Sequence, residues 1–410
     1  MKFLLTFLMA SFFISGLQAQ TPLDYYRQAD AATTAKDYKT AATAYSNGIR
    51  SEGEAAGIFR FRNAALAFTQ AGMKDSAFYY LHLIANSSKT TRFIAQNIET
   101  SLEFNSLYSD KRWKTLLTAI QKKAETNSYT QYEFIYGRKD GMALSLFRIQ
   151  PKIKPNGKAV IYIVSGGWVS SYNGIEVNTL LVEQHLQKGF TVFAVVHGSA
   201  PRYAIPDALN DVKRAVRYIR YNAQKFAIDP DRIGITGFSA GGHLSLLIAL
   251  GDDVVNPTST DPVERVSARV QAAAVLFPPT DLLNWGGPGL NMVNAKELVK
   301  ARGSYGAIDF RTWNEKYRIY EEVSDTSARS KIGKEMSPMY YVSKDDPPVF
   351  IMHGDKDATV PLQQSQAIIA RMNEEGVKTK FIIKKGGGHN PADMFPEFNE
   401  FVNWFDEHLK

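Results

Sequence analysis

The sequence predicts an α/β fold, a mostly parallel sheet with helices on both faces, preceded by a small all-α domain of helical hairpins. Between residue 22 and about residue 125, apolar residues recur at the 3.6-residue spacing of amphipathic helices. From about residue 129, short and nearly continuous apolar runs alternate with amphipathic segments, which is typical of parallel strands that are buried on both faces. We therefore expect a helical domain over residues 20–127 and an α/β domain over residues 128–410.

The helical domain is expected to contain two similar helix–turn–helix segments. The first covers residues 25–49, with a break near 36–37, and the second covers 58–85, with a break near 72–75. Their offset of about 38 residues resembles tetratricopeptide-type (TPR-like) hairpins only loosely, because that repeat is usually about 34 residues long. A plain helical bundle without repeats explains the pattern equally well. A further helix is expected around Trp113.

In the α/β domain, two strands are expected to pair about a turn at Asp140-Gly141, which is a hairpin signal. Apolar runs then predict strands at 159–164, 190–196, 233–236, 272–277, 349–352 and 381–383. Helices are expected at 176–188, 207–226, 240–250, 363–375 and 394–409. Residues 278–343 interrupt this alternation, and we expect them to form an inserted cap rather than a third domain.

Composition and charge exclude several classes of function. The 410 residues carry a formal net charge of +7, but no run of lysine and arginine concentrates it, so a nucleic-acid site is not expected. The chain has no cysteine, which excludes disulfides, thiol nucleophiles and cysteine-ligated zinc.

The first residues resemble a targeting segment. Lys2 is followed by an apolar stretch to Leu17 and then by the small residue Ala19, which is the pattern of a secretory signal peptide over residues 1–19. The alternative is an N-terminal membrane anchor. We expect an exported protein, periplasmic or secreted, with no membrane span in the mature chain.

The strongest chemical signal is Gly237-Phe238-Ser239-Ala240-Gly241, which matches G-x-S-x-G. It lies between an expected strand and an expected helix, and small residues allow the tight turn that presents a nucleophilic serine there. The following helix N-terminus favours the negative charge that develops in acyl transfer. The alternative is a glycine-rich turn that only begins a helix.

A serine hydroxyl needs a base, and seven histidines are available. His389 follows three glycines directly after the last expected strand, so it is the expected base. His243 is expected to pack or to make a local hydrogen bond within its helix, and His185 is expected on a helix surface. Asp355 and Asp357 compete for the acid that orients the base, and we favour Asp357, because Asp355 is better placed to hold the turn.

The oxyanion hole is expected to use backbone N–H groups. One is that of Ala240, directly after the serine. The others lie in Gly166-Gly167-Trp168, after an expected strand, with Gly167 and Trp168 as donors and Gly166 shaping the loop. The alternative is a glycine turn beside a core tryptophan.

Together these motifs resemble those of the α/β-hydrolase superfamily, most closely its bacterial acetyl- and feruloyl-esterase-like branch, over residues 129–410. The resemblance implies an α/β-hydrolase fold with Ser239 as nucleophile, Asp357 as acid and His389 as base. Such esterases usually carry His-Gly-Gly-Gly-Trp after the strand that ends here with Val164, whereas this chain has Ser165 and only two glycines. The amide donors do not depend on those side chains.

The expected function is hydrolysis of carboxylic esters, with acetyl or feruloyl esters of polysaccharides or smaller esters as substrates. No metal or organic cofactor is required. One alternative is a serine peptidase of the prolyl-oligopeptidase type, although the helical region is too short for a propeller. Another is a helical-repeat interaction protein that binds a protein partner and has a secondary hydrolase domain.

Overall fold

A computed structural model describes residues 21–53, 56–87, 90, 92–126, 130–151, 154–172, 179–301 and 303–410. The predicted signal peptide lies outside these residues. The chain divides into two compact units. One runs to Thr90 and resumes over Asn97–Gln121, and the other comprises Thr91–Gln96 and Lys122–Lys410. Of the helices that the structure describes, none combines the length and the apolar character needed to cross a bilayer.

The first unit is built from helical hairpins. Its helices begin with α1 (Pro22–Thr34), α2 (Tyr38–Glu52), α3 (Ile58–Gln70) and α4 (Lys74–Asn86), and α5 (Arg92–Thr100) and α6 (Lys111–Thr126) follow along the chain. Both predicted helix–turn–helix segments are confirmed. Asp37 begins α2 by accepting a hydrogen bond from the N–H of Thr40, and Gly72, with φ +76°, ends the turn after α3. The tetratricopeptide likeness stays a prediction.

In the described part of the second unit, eight strands form one sheet. They are β1 (Thr130–Lys139), β2 (Met142–Gln150), β3 (Ala159–Ile163), β4 (Thr191–Val195), β5 (Ile233–Phe238), β6 (Ala272–Leu276), β9 (Val349–Gly354) and β10 (Thr379–Lys384). The order is β1-β2-β4-β3-β5-β6-β9-β10, and every pair from β4 to β10 is parallel. The predicted α/β fold is therefore confirmed.

The antiparallel edge of the sheet is the predicted hairpin. Lys139 pairs with Met142, and Asp140 and Gly141 form the turn with φ values of +49° and +77°. Two positive φ values define the turn whose twist matches that of the flanking strands. The local sequence therefore sets the register of β1 against β2 next to the turn, and an irregularity between Ile135 and Gly137 shifts it further along the pair.

Helices cover both faces of the sheet. Among the described residues of the second unit, the helices are α7 (Thr179–Gln187), α8 (Ile205–Tyr221), α9 (Ala223–Phe226), α10 (Ala240–Leu250), α11 (Lys296–Ala301), α12 (Thr326–Glu335), α13 (Leu362–Glu374) and α14 (Phe398–His408). Along β3, Ile161 and Ile163 pack in the same core as α8, α10 and α13. The alternate residues Val160 and Tyr162 pack with α7 and α14. Both faces of β3 are thus buried, which explains its uninterrupted apolar sequence.

One histidine is placed differently from its prediction. His185, on α7, is only 2% exposed, and its ring packs against those of Phe190 and Phe405. The expectation of a surface position was therefore wrong. Phe190 lies directly before β4, and Phe405 lies on α14. The burial of His185 therefore depends on tertiary packing, which the helical periodicity does not encode.

The segment between β6 and β9 contains α11, α12 and a two-stranded hairpin of β7 (Arg311–Asn314) and β8 (Ile319–Glu322). Arg329, on α12, is 1% exposed and ties the segment together. Its guanidinium donates to the carbonyl oxygens of Val293, Ile308 and Val323. A buried charge is tolerated only where hydrogen bonds replace its hydration, so these three carbonyls hold the guanidinium in place.

Candidate active site

Ser239 lies on a sharp turn between β5 and α10. Its backbone has φ +53° and ψ −123°, which a non-glycine residue adopts only when the surroundings hold it there. A Cβ at Gly237 would lie 2.5 Å from the carbonyl carbon of Gly241, and a Cβ at Gly241 would lie 2.6 Å from the carbonyl oxygen of Ile163. The glycines of the motif are therefore required by close backbone approach, and the turn presents the serine at the carboxyl end of β5.

The structure brings the three predicted side chains together. His389 Nε2 is 2.9 Å from Ser239 Oγ, and His389 Nδ1 is 2.7 Å from Asp357 Oδ2. The carboxylate can only accept, so Nδ1 carries the proton that it donates to Asp357. Nε2 is then free to accept the hydroxyl proton of Ser239. These residues come from the loops after β5, β9 and β10, which are far apart in sequence.

Asp357 is held as an anion. Its side chain is fully buried, which raises the pKa of a carboxyl group, but hydrogen bonds from His353, His389 and the N–H of Val360 outweigh that effect and lower the pKa of Asp357. The N–H of Thr359 also donates to its Oδ1. A carboxylate with donors on both oxygens has a fixed orientation, and it fixes in turn the ring that it contacts.

The neighbouring Asp355 holds the turn. Its Oδ1 accepts a hydrogen bond of 2.6 Å from the N–H of Gly386, while Gly388 N–H donates to Asp393 Oδ2 at 2.8 Å. A Cβ at Gly354 would lie 2.2 Å from the carbonyl oxygen of Gly387. The loops after β9 and β10 therefore touch through glycine, and this contact brings Asp357 within reach of His389.

The predicted oxyanion loop forms a tight turn after β3. Gly166 and Val169 exchange both backbone hydrogen bonds at 3.0 Å, and between them Gly167 and Trp168 have φ values of +56° and +61°. The N–H of Gly166 is therefore used within the loop, in agreement with a shaping role and not with that of a donor. Ala240 is the first residue of α10, so its N–H has no acceptor within the helix.

Two buried histidines outside the predicted triad hold this loop. Trp168 Nε1 donates to His243 Nδ1 at 3.1 Å, and His243 Nε2 donates to the carbonyl oxygen of Met336 at 2.7 Å. Similarly, Ser165 Oγ donates to His197 Nε2 at 2.9 Å. Burial lowers the pKa of His243 to about 4 and that of His197 to about 4, so both rings are neutral at pH 7 and each has a fixed tautomer.

Sequence reasoning missed these roles. The signal that was available is the position of His197 directly after β4, where a polar side chain meets the loops at the carboxyl edge of the sheet. For His243, the partners Trp168 and Met336 lie 75 and 93 residues away in sequence. No local pattern identifies such partners.

A cavity of about 660 Å³ opens beside the serine. Ser239, His389, Gly167 and Trp168 line it on one side. Its lining is otherwise mostly apolar and includes Phe238, Phe277, Leu282, Trp285, Met292 and Ile308. Leu282 to Ile308 belong to the segment between β6 and β9, which therefore supplies one wall of the cavity. Across the described residues, no group of three His, Asp or Glu side chains is arranged to hold a metal ion.

Known proteins resemble this chain over its second unit. Residues 147–372, more than half of the chain, match the family described as BD-FAE. Esterase LipQ of Mycobacterium tuberculosis is 29% identical over 246 residues, which are 60% of this chain and 53% of that protein. The chain thus spans about half the length of the curated relatives it matches.

Two solved structures share the fold. A truncated carbohydrate esterase from gut microbiota superposes with a TM-score of 0.55 at 28% identity, over 69% of this chain and 97% of that one. A bifunctional GH43-CE protein of Bacteroides eggerthii gives a TM-score of 0.55 at 25% identity, over 68% of this chain and 38% of that one. With the sheet order and the serine turn described above, these matches show that the chain belongs to the BD-FAE family and has the α/β-hydrolase fold.

Proposed function

We propose that this protein hydrolyses carboxylic esters through an acyl-enzyme formed on Ser239. The observation that carries the proposal is the continuous line of contacts from Ser239 through His389 to Asp357 at the mouth of an apolar cavity. The resemblance to esterases of known name supports it. The arrangement supplies a nucleophile, a base and a group that fixes the tautomer of the base.

In the first half-reaction, Ser239 Oγ attacks the acyl carbon while His389 Nε2 takes the hydroxyl proton. The carbonyl oxygen becomes an oxyanion, and we assign its stabilisation to the amides of Gly167, Trp168 and Ala240. The C–O bond to the alcohol then breaks, and the leaving oxygen receives the proton from His389. The serine ester that remains retains the acyl group.

In the second half-reaction, a water molecule attacks the acyl carbon and gives its proton to His389 Nε2. The bond to Ser239 Oγ breaks, the hydroxyl recovers its proton, and the carboxylic acid leaves. Asp357 stays ionised throughout, because its role is to stabilise the imidazolium that forms twice in each cycle.

The substrate class that we infer is an acetyl or feruloyl ester of a polysaccharide, or a smaller ester of the same kind. An apolar cavity of about 660 Å³ accepts an aromatic acyl group as well as a small one. The similar solved chains include a carbohydrate esterase, which supports a sugar-linked substrate. A panel of p-nitrophenyl esters, methyl ferulate and acetylated xylan would rank these substrates.

The test of the catalytic proposal compares Ser239→Ala with Ser327→Ala. Ser327 lies exposed on α12, so its substitution is a matched control. We expect Ser239→Ala to abolish ester turnover and labelling by a fluorophosphonate probe, whereas Ser327→Ala keeps both. Mass spectrometry that locates the probe adduct on Ser239 would identify the nucleophile directly. Undiminished turnover by Ser239→Ala would overturn the proposal.

We also propose that the protein is exported, on the basis of the pattern in residues 1–19 of the sequence. Expression of the full chain followed by N-terminal sequencing of the mature product tests this. Cleavage after Ala19 is the expected result, and a product that retains the apolar stretch would contradict it.

A further inference from the structure

His353 is a buried histidine directly beside the proposed triad. It lies at the end of β9, is 0% exposed, and therefore contacts no bulk water. Its Nδ1 is 2.7 Å from Ser365 Oγ, and its Nε2 is 3.0 Å from the carbonyl oxygen of Val360 and 3.3 Å from Asp357 Oδ2. The reaction described above does not use this ring.

The contacts determine the tautomer of His353. A carbonyl oxygen and a carboxylate oxygen can only accept, so Nε2 carries the proton and shares it between Val360 and Asp357. Nδ1 is then an acceptor, and the hydroxyl of Ser365 donates to it. Ser365 lies on α13, which means that the helix after the acid loop fixes the ring that faces that loop.

Asp357 Oδ2 consequently receives two imidazole N–H groups. His389 Nδ1 donates at 2.7 Å, and the N–H of His353, which donates to the carbonyl oxygen of Val360 at 3.0 Å, lies 3.3 Å from the same carboxylate oxygen. The N–H groups of Thr359 and Val360 donate to Oδ1. Each donor stabilises the anion, and each lowers the electron density that the carboxylate offers to the others. The strength with which Asp357 holds His389 therefore depends on His353.

We propose that His353 is a positioning residue that orients Asp357 and limits how strongly this carboxylate stabilises the protonated form of His389. The inference rests on the proposed function, since it concerns the same triad. A residue that only filled space would leave the interaction between Asp357 and His389 unchanged, whereas the role proposed for His353 depends on its Nε2–H group. Among the described residues, Asp357 is the titratable group that contacts His353; Phe277 and Ser365, which face its ring from other elements, do not titrate.

The experiment compares His353→Leu with His353→Gln. Leucine fills the space without a donor, whereas the amide nitrogen of glutamine can replace Nε2–H. For His353→Leu we expect kcat for a p-nitrophenyl ester to fall about tenfold, because Asp357 is then less firmly oriented and holds the ring of His389 less precisely against Ser239, while KM changes little. We also expect the acid limb of the kcat/KM profile to move to higher pH, since Asp357 then stabilises the imidazolium of His389 more strongly. Glutamine should restore both values toward wild type.

Ser365→Ala provides a second variant that keeps the ring but removes the donor to Nδ1. Because Nδ1 then has no donor and the ring is held only through Nε2, we expect a smaller change of the same sign, and this result supports the proposal even if His353→Leu does not fold. Equal loss in the leucine and glutamine variants, or an unmoved acid limb in all three folded variants, would overturn it. Turnover that survives in Ser239→Ala would instead show that the proposed function itself is wrong.

Discussion

Acidification should destabilise the second unit well before Asp357 is protonated, because the unit contains buried neutral histidines. Burial lowers the pKa of His243 from an ordinary value of 6.5 to about 4. The folded state then binds fewer protons than the unfolded state between these two values. The contribution of His243 is complete above pH 6.5, decreases as the pH falls from 6.5 towards 4, and is lost below 4.

The magnitude follows from the two pKa values. A difference of about 2.5, at about 1.4 kcal/mol for each pKa unit, corresponds to about 3 kcal/mol of unfolding free energy. His197, with a pKa lowered from 6.5 to about 4, adds a term of the same sign and size. The pKa of Asp357 is lowered from an ordinary value of 3.8, so its contribution is lost only below about pH 4. The histidine interval thus lies above the pH range in which Asp357 loses its contribution.

Urea unfolding at fixed ionic strength, followed by tryptophan fluorescence between pH 7.5 and 4.5, measures this dependence. His243→Gln keeps an acceptor for Trp168 and a donor for Met336 but does not titrate. We expect the unfolding free energy of this variant to lose less than that of wild type, by up to about 3 kcal/mol over the interval. His82→Gln, at an exposed histidine on α4, is the matched control and should follow wild type. Parallel curves for wild type and His243→Gln would refute the reasoning.

Two further predictions concern the serine turn and the acid. Asp357→Asn should lower kcat by about 10³- to 10⁴-fold in ester assays, because the amide stabilises the wrong tautomer of His389. Asp355→Asn keeps the oxygen that accepts from Gly386, so its kcat should stay close to that of wild type. A comparable loss of kcat in both variants would contradict the assignment. Gly241→Ala should lower the unfolding free energy by about 1–3 kcal/mol, since its Cβ would lie 2.6 Å from the carbonyl oxygen of Ile163. Gly287→Ala, whose Cβ meets nothing within 4 Å, should leave the unfolding free energy unchanged. An equal decrease in the unfolding free energy of the two variants would show that the close backbone approach at Gly241 is not the cause.

The sequence predicts most of the sheet because its signals are local. The runs that become β3 to β6 are mostly apolar, and Asp140-Gly141 specifies its own turn. The hairpin of β7 and β8 was not predicted, since seven of its eight strand residues are exposed and no alternation of apolar and polar residues marks it. Such a strand pair is set by turn geometry and cross-strand contacts, including that of Trp313 with Tyr320.

The site follows the same division. The glycines around Ser239 and before His389 indicate the loops that carry this serine and this histidine, so both could be predicted from the sequence. The roles of His243 and His353 could not, because they depend on acceptors and donors that approach only after folding, and for His197 the sequence offered only its position directly after β4. The final helix illustrates the limit for boundaries: expected over 394–409, it begins at Phe398, because residues Pro391–Glu397 form a 3-10 turn that contains Pro396.

The backbone conformation of Ser239 restricts which residues natural variation or protein engineering can install there. A φ of +53° brings Cβ close to the local carbonyl groups, and a second heavy atom on Cβ is sterically disfavoured in that conformation. Threonine is therefore sterically disfavoured as the nucleophile at this turn, although its hydroxyl has similar reactivity. Cysteine is unbranched at Cβ and fits this conformation. A cysteine nucleophile is therefore sterically accessible at this position, whereas a threonine nucleophile would favour a different turn.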